Sequence, residues 1–91
     1  MKLLDMAKIA NFAKGNLGWG VSGEKLRKVY KFKTYQEGVD FTVKVANLAE
    51  RANHHPDILL GYSEVIVSLM THDANGITQL DLDLAGEVDK I

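Results

Sequence analysis

The chain has 91 residues, 46% hydrophobic and 25% charged, which makes residues 1–91 a single domain, too short for two cores and too apolar for a disordered segment. Eleven basic against twelve acidic residues leave a formal net charge of −1, which excludes the basic footprint of a nucleic-acid-binding surface. Cysteine is absent, so no disulfide supplements the core, and this usage fits a reducing, cytoplasmic setting.

The start, MKLLDMAKIANFAKG, is interrupted by Asp5, Lys8, Asn11 and Lys14, so it lacks the continuous apolar stretch of a signal peptide. No run approaches the roughly 20 apolar residues of a membrane span. Instead Leu3, Met6, Ala7, Ile9, Ala10 and Ala13 recur at three- and four-residue steps and predict a first amphipathic helix ending at Gly15. The glycine-rich NLGWGVSG predicts a short strand turning through Ser22 and Gly23 into KLRKVYKFK, so the two form a hairpin. The charges of KLRKVYKFK interleave with Leu26, Val29, Tyr30 and Phe32, and are expected to lie on the solvated face of that strand.

Thr34 opens TYQE, a capping-box pattern in which the threonine hydroxyl caps the backbone three residues on and Glu37 reaches back. A second helix follows, with Phe41, Val45, Leu48, Ala49 and Ala52 on one face, and it stops where Asn53 takes a left-handed cap and Pro56 forbids continuation. DILLGY is a third strand. EVIVSLMTH is the fourth, with Val65, Val67, Leu69 and Thr71 on one side and Ile66, Ser68, Met70 and His72 on the other. HDANG is turn chemistry, and Thr78 with Asp81 repeats the capping pattern before a last helix marked by Ile77, Leu80, Leu84, Ala85 and Val88. The order α-β-β-α-β-β-α predicts an α+β fold, a two-layer arrangement of three helices on one face of a four-stranded antiparallel sheet.

The histidines are the chemistry-bearing residues. His54 and His55 stand together just past the second helix, and His72 ends the fourth strand. Imidazole gives and takes protons near neutrality, so a cluster of three suits general acid–base work. Glu50 lies four residues before His54 and is expected to pair with it beside the partly negative helix end. A single histidine at a helix end is ordinarily a structural hydrogen-bonding residue. A metal site built from His54, His55, His72, Glu50 and Asp73 is a further alternative, opposed by the divergence of adjacent side chains and by the lack of H-x-x-x-H or cysteine.

The segments ERANHHPD, Tyr62, VIVSLMTHDANGIT and Asp81 resemble the pterin-4a-carbinolamine dehydratase family, from about Trp19 to the C-terminus. The double histidine with a later Thr-His is the specific part. The resemblance implies loss of water from 4a-hydroxytetrahydropterin to give quinonoid dihydropterin, in the recycling of tetrahydropterin, without a metal or other cofactor. It makes His54, His55 and His72 the catalytic set. Glu50, Asn53, Pro56, Met70, Thr71, Asp73 and Asp81 become the residues around the substrate, although Asp81 as third residue of a capped helix is weighed first as a cap. Ile58 stands where animal members often carry tryptophan. Family membership also implies a homodimer or homotetramer, and it brings a second class of function: a non-catalytic binding module, either a dimerisation cofactor of a transcription factor or a pterin-binding protein without turnover.

Overall fold

The computed structural model describes residues 2–91. Helix α1 spans Met6–Gly15, with the Asp5 carboxylate accepting from the Lys8 N–H at 2.9 Å as its N-cap. Strands β1 (Gly20–Ser22) and β2 (Lys25–Lys31) form the expected hairpin, with Ser22 opposite Lys25 and Gly23 at φ +61° in the tight turn between them. Helix α2 spans Tyr35–Ala52, β3 Asp57–Leu60, β4 Glu64–Leu69 and helix α3 Gln79–Val88. The order α-β-β-α-β-β-α is as the sequence predicts, and the sheet is antiparallel throughout in the order β1-β2-β4-β3.

Alternation fixes which face of the sheet is covered. Val65, Val67 and Leu69 of β4 are fully buried, and their register partners on β2 are Tyr30, Lys28 and Leu26. They meet Phe41, Val45 and Ala49 of α2 and Leu82, Ala85 and Val88 of α3 in one apolar cluster. Each valine, leucine or phenylalanine among them contributes about 1.5–3 kcal/mol on burial, and the alanines less. Gly38 brings the first turns of α2 onto the sheet, since a Cβ there would stand 3.2 Å from Leu60 Cδ1 and 3.4 Å from Val65 Cγ2.

The register places Lys28 on the helix-covered face, not the solvated one expected for the charges of this strand. Period 2 leaves it no choice between the inward Leu26 and Tyr30, and it is tolerated because the Asp89 carboxylate, at the C-terminal end of α3, comes down to meet it. Lys28 Nζ donates to Asp89 Oδ1 at 2.8 Å, Trp19 Nε1 donates to Asp89 Oδ2 at 3.0 Å, and the Tyr30 hydroxyl also donates to Oδ1. Lys28 Nζ lies 4.8 Å from the Tyr30 ring centroid as well. Burial by itself would raise the Asp89 carboxyl, but the hydrogen bonds from Lys28, Tyr30 and Trp19 and the Lys28 charge outweigh it and hold the group below its ordinary value of 3.8. The Tyr30 phenol is pushed well up, by burial first and then by its bond to Asp89 and that carboxylate's charge.

Candidate active site

The site begins at the end of α2. Asn53 adopts the left-handed conformation at φ 52°, its N–H bonds the Glu50 carbonyl at 3.2 Å, and the His54 N–H bonds the Ala49 carbonyl at 3.1 Å. This pair of bonds is a Schellman closure, and it turns the chain off the helical path before the first histidine. Pro56 then holds the chain extended into β3.

That turn separates the two imidazoles. His54 swings inward, with 13% of its side chain exposed, and its Nε2 lies 2.5 Å from Asp81 Oδ1 in the first turn of α3. His55 swings outward, and its Nε2 lies 2.6 Å from Glu50 Oε1, with both side chains mostly in solvent. The expected pairing of Glu50 with His54 is therefore corrected. The i, i+4 relation holds only while the helix lasts, and the left-handed Asn53 breaks it one residue too soon.

Asp81 and Thr78 are fully buried, and Thr71 is nearly so. Asp81 Oδ2 accepts from the Thr78 backbone N–H at 2.9 Å, the reach-back expected of a capping residue, and also from the Thr71 hydroxyl at 3.0 Å. The Thr71 and Thr78 hydroxyls are 2.7 Å apart. One carboxylate thus caps α3 and backs His54 at the same time. A carboxylate only accepts, so the proton between it and His54 belongs to Nε2, which leaves Nδ1 as the ring nitrogen open to other work.

The third histidine is not at a strand end. Strand β4 stops at Leu69, Thr71 pairs with Gly76 in an isolated bridge, and His72–Ala74 forms a single 3-10 turn closed by Asn75 at φ 56°. The ANG sequence closes this small loop on itself, because left-handed Asn75 and Gly76 return the chain to Thr71. His72 is consequently carried out on an exposed turn instead of lying flat along the sheet.

His54, His55 and His72 all line one cleft of about 420 Å³, together with Asn53, Pro56, Asp57, Met70, Thr71, Asp73 and Leu80. Its size is that of a small-molecule site. The sequence-predicted residues Asn53, Pro56, Met70, Thr71 and Asp73 are therefore gathered on its wall. Glu50 and Asp81 are not: Glu50 stands in solvent behind His55, and Asp81 lies buried behind His54. Asp57 and Leu80 line the cleft without having been singled out from the sequence, and Thr78 enters the hydrogen-bond chain as more than a helix cap. Among the described residues no three His, Cys, Asp or Glu side chains converge closely enough to hold a metal ion.

Comparison with known proteins shows the family. A family model described as Pterin 4 alpha carbinolamine dehydratase matches residues 2–91. A protein of Sulfurisphaera tokodaii named as a candidate pterin-4-alpha-carbinolamine dehydratase is 41% identical over 91 residues, covering 100% of this chain and 98% of its own. A protein of Trichormus variabilis with the same name is 43% identical over 90 residues, covering 99% and 97%. The crystal structure of a "transcriptional coactivator/pterin dehydratase" from Brucella melitensis superposes with a TM-score of 0.90 at 31% identity, over 98% of this chain and 97% of the other. A pterin dehydratase-like protein identified as a RuBisCO assembly factor in the alpha-carboxysome shares the fold, with a TM-score of 0.65 at 23% identity over 79% and 83% of the two chains.

Proposed function

Since the chain belongs to the pterin 4 alpha carbinolamine dehydratase family, we propose that its cleft removes water from 4a-hydroxytetrahydropterin by histidine acid–base catalysis. The observation that carries this reading is the convergence of His54, His55 and His72 on one cleft, with His54 backed by a buried carboxylate. In the reaction the N5–H bond breaks and its electron pair forms the C4a=N5 double bond, while the C4a–O bond breaks and the hydroxyl leaves with a donated proton as water. The product is the quinonoid dihydropterin. Two proton transfers on one ring system ask for one group that takes a proton and one that gives it.

His54 is the proton donor to the departing hydroxyl. Asp81 holds Nε2–H and so fixes the orientation of the ring, and the proton given to the substrate is one carried on Nδ1. His72, on its exposed turn, takes the proton from N5. His55, anchored to Glu50, completes the cleft wall and lies within the same proton-exchanging set. The three rings are replenished from solvent, into which His55 and His72 open.

A cytoplasmic homo-oligomer acting in pterin recycling accords with family membership. The sheet has the uncovered edge strands β1 and β3, and Leu59 on β3 is 61% exposed with Tyr62 just beyond it at 85%. An apolar edge of this kind gains from pairing with a second copy. The second reading is a binding module without turnover, prompted by the coactivator role in the description of the Brucella melitensis relative.

The experiment is turnover. With 4a-hydroxytetrahydropterin generated in situ by a phenylalanine hydroxylase, the protein is expected to accelerate quinonoid dihydropterin formation in proportion to its concentration. Tight pterin binding without acceleration would leave the binding module as the function.

A further inference from the structure

Behind His54 lies a chain of buried hydroxyls. Thr71 is 6% and Thr78 1% exposed, so neither hydroxyl is satisfied by bulk water. Thr71 Oγ1 lies 3.0 Å from Asp81 Oδ2 and 2.7 Å from Thr78 Oγ1. Because a carboxylate has only acceptors, the single proton of Thr71 goes to Asp81, and Thr71 must accept the proton of Thr78. The direction of the chain is thereby fixed, from Thr78 to Thr71 to Asp81. With the Thr78 N–H also on Oδ2 at 2.9 Å, the carboxylate cannot rotate without losing two bonds, so Oδ1 remains aimed at His54 Nε2.

We infer that Thr71, with Thr78 behind it, is a positioning residue for His54: its hydroxyl locks the Asp81 carboxylate and so keeps the ring proton on Nε2 and the exchangeable one on Nδ1. Thr71 lies on the cleft wall, yet its hydroxyl is committed away from the substrate. Its contribution to turnover rests on the dehydratase reading of the cleft, whereas its effect on the ring does not. A buried, directional hydrogen-bond chain of this kind fixes both orientation and tautomer, as supporting residues do around other working imidazoles.

The test compares Thr71→Val, which keeps the shape without the donor, with Thr71→Ser, which keeps the donor. Circular dichroism and thermal unfolding establish that each variant is folded. Nitrogen-15 spectra of labelled histidine then report the His54 tautomer. Wild type and Thr71→Ser are expected to hold the Nε2–H form with a downfield ring proton, and Thr71→Val to populate the Nδ1–H form and lose that resonance. In the dehydration assay Thr71→Val is expected to lower kcat about tenfold with KM changed less than about twofold, and Thr71→Ser to recover most of the loss. An unchanged tautomer and kcat in Thr71→Val would overturn the inference, as would a serine variant as impaired as the valine one, since packing of the methyl group would then be what matters. If Thr71→Val does not fold, Thr78→Val removes the outer hydroxyl and is read by the same two measurements. A wild-type protein that leaves the pterin unreacted, but whose His54 tautomer shifts with Val and not with Ser, would discard the dehydratase reading and support the positioning role.

Discussion

Asp89→Asn removes one negative charge from a place where three donors converge. The carboxylate accepts from Lys28, Tyr30 and Trp19, and its side chain and that of Lys28 are only 21% and 18% exposed. A hydrogen bond to a charged group contributes about 1.5–3 kcal/mol, against about 0.5–1.5 kcal/mol for a neutral one. Asparagine keeps one acceptor, so the loss comes from weakened bonds and from leaving Lys28 without its counter-ion. A fully buried broken pair costs about 3–5 kcal/mol, and partial exposure here reduces that to about 2–3 kcal/mol. At about 4–8 °C per kcal/mol for a domain of this size, Tm falls by about 8–24 °C.

The pH dependence has a definite sign. The Asp89 value is depressed in the folded state, so its stabilisation is present above the unfolded value of 3.8 and is lost as pH falls through the folded one. The gap between wild type and Asp89→Asn should therefore be flat from about pH 5 to 8 and close in acid. At the alkaline end the raised Tyr30 value makes wild-type stability fall as pH climbs past its ordinary 10. That fall should be smaller in total in Asp89→Asn, where the carboxylate's charge no longer opposes the phenolate. Denaturant unfolding followed by circular dichroism across this range is the assay. A destabilisation under about 0.5 kcal/mol, of the size of an ordinary surface change, or a gap that persists undiminished in strong acid, would refute the reasoning. Asp89 does not touch the cleft, so kcat per folded molecule should be that of the wild type.

Three further outcomes follow from the same geometry. Asp81→Asn places an amide donor against His54 Nε2, forces the opposite tautomer and should lower kcat by about 10²-fold or more in the dehydration assay, with the folded fraction measured alongside. Glu50→Gln alters an exposed pair and should change unfolding free energy by less than about 1 kcal/mol, a measurement that would exceed this only if the pair were more than a surface contact. Sedimentation at micromolar concentration should give a dimer or tetramer, and a monomer alone would remove the edge-pairing argument.

The elements of this fold are written in local signals. Thr34 and Glu37 form the capping box that their spacing predicts, with Glu37 N–H to Thr34 Oγ1 at 3.1 Å and Thr34 N–H to Glu37 Oε1 at 3.0 Å, and Asn53 ends α2 in the left-handed state. The alternation of Val65, Val67 and Leu69 identifies the buried face of the sheet. What escapes a linear reading is whatever depends on partners far along the chain. Asp81 reaches His54 across 27 residues, and Asp89 reaches Lys28 across 61. Lys28 faces the helices because the period of the strand outranks its charge, and Glu50 meets His55 because helical spacing ends at the left-handed Asn53. The turn at His72 is a related case: the strand pattern runs on through Met70 and Thr71, and only the closure of Thr71 onto Gly76 ends it.

The most direct measurement of the central claim is the rate of 4a-hydroxytetrahydropterin dehydration by wild type, His54→Ala, His72→Ala and the double variant, each confirmed as folded. Acid–base catalysis from one cleft predicts that each single variant loses about 10²–10⁴-fold in kcat and that the double variant loses less than the product of the two. Single variants that turn over at the wild-type rate, or losses that only track the folded fraction, would contradict it.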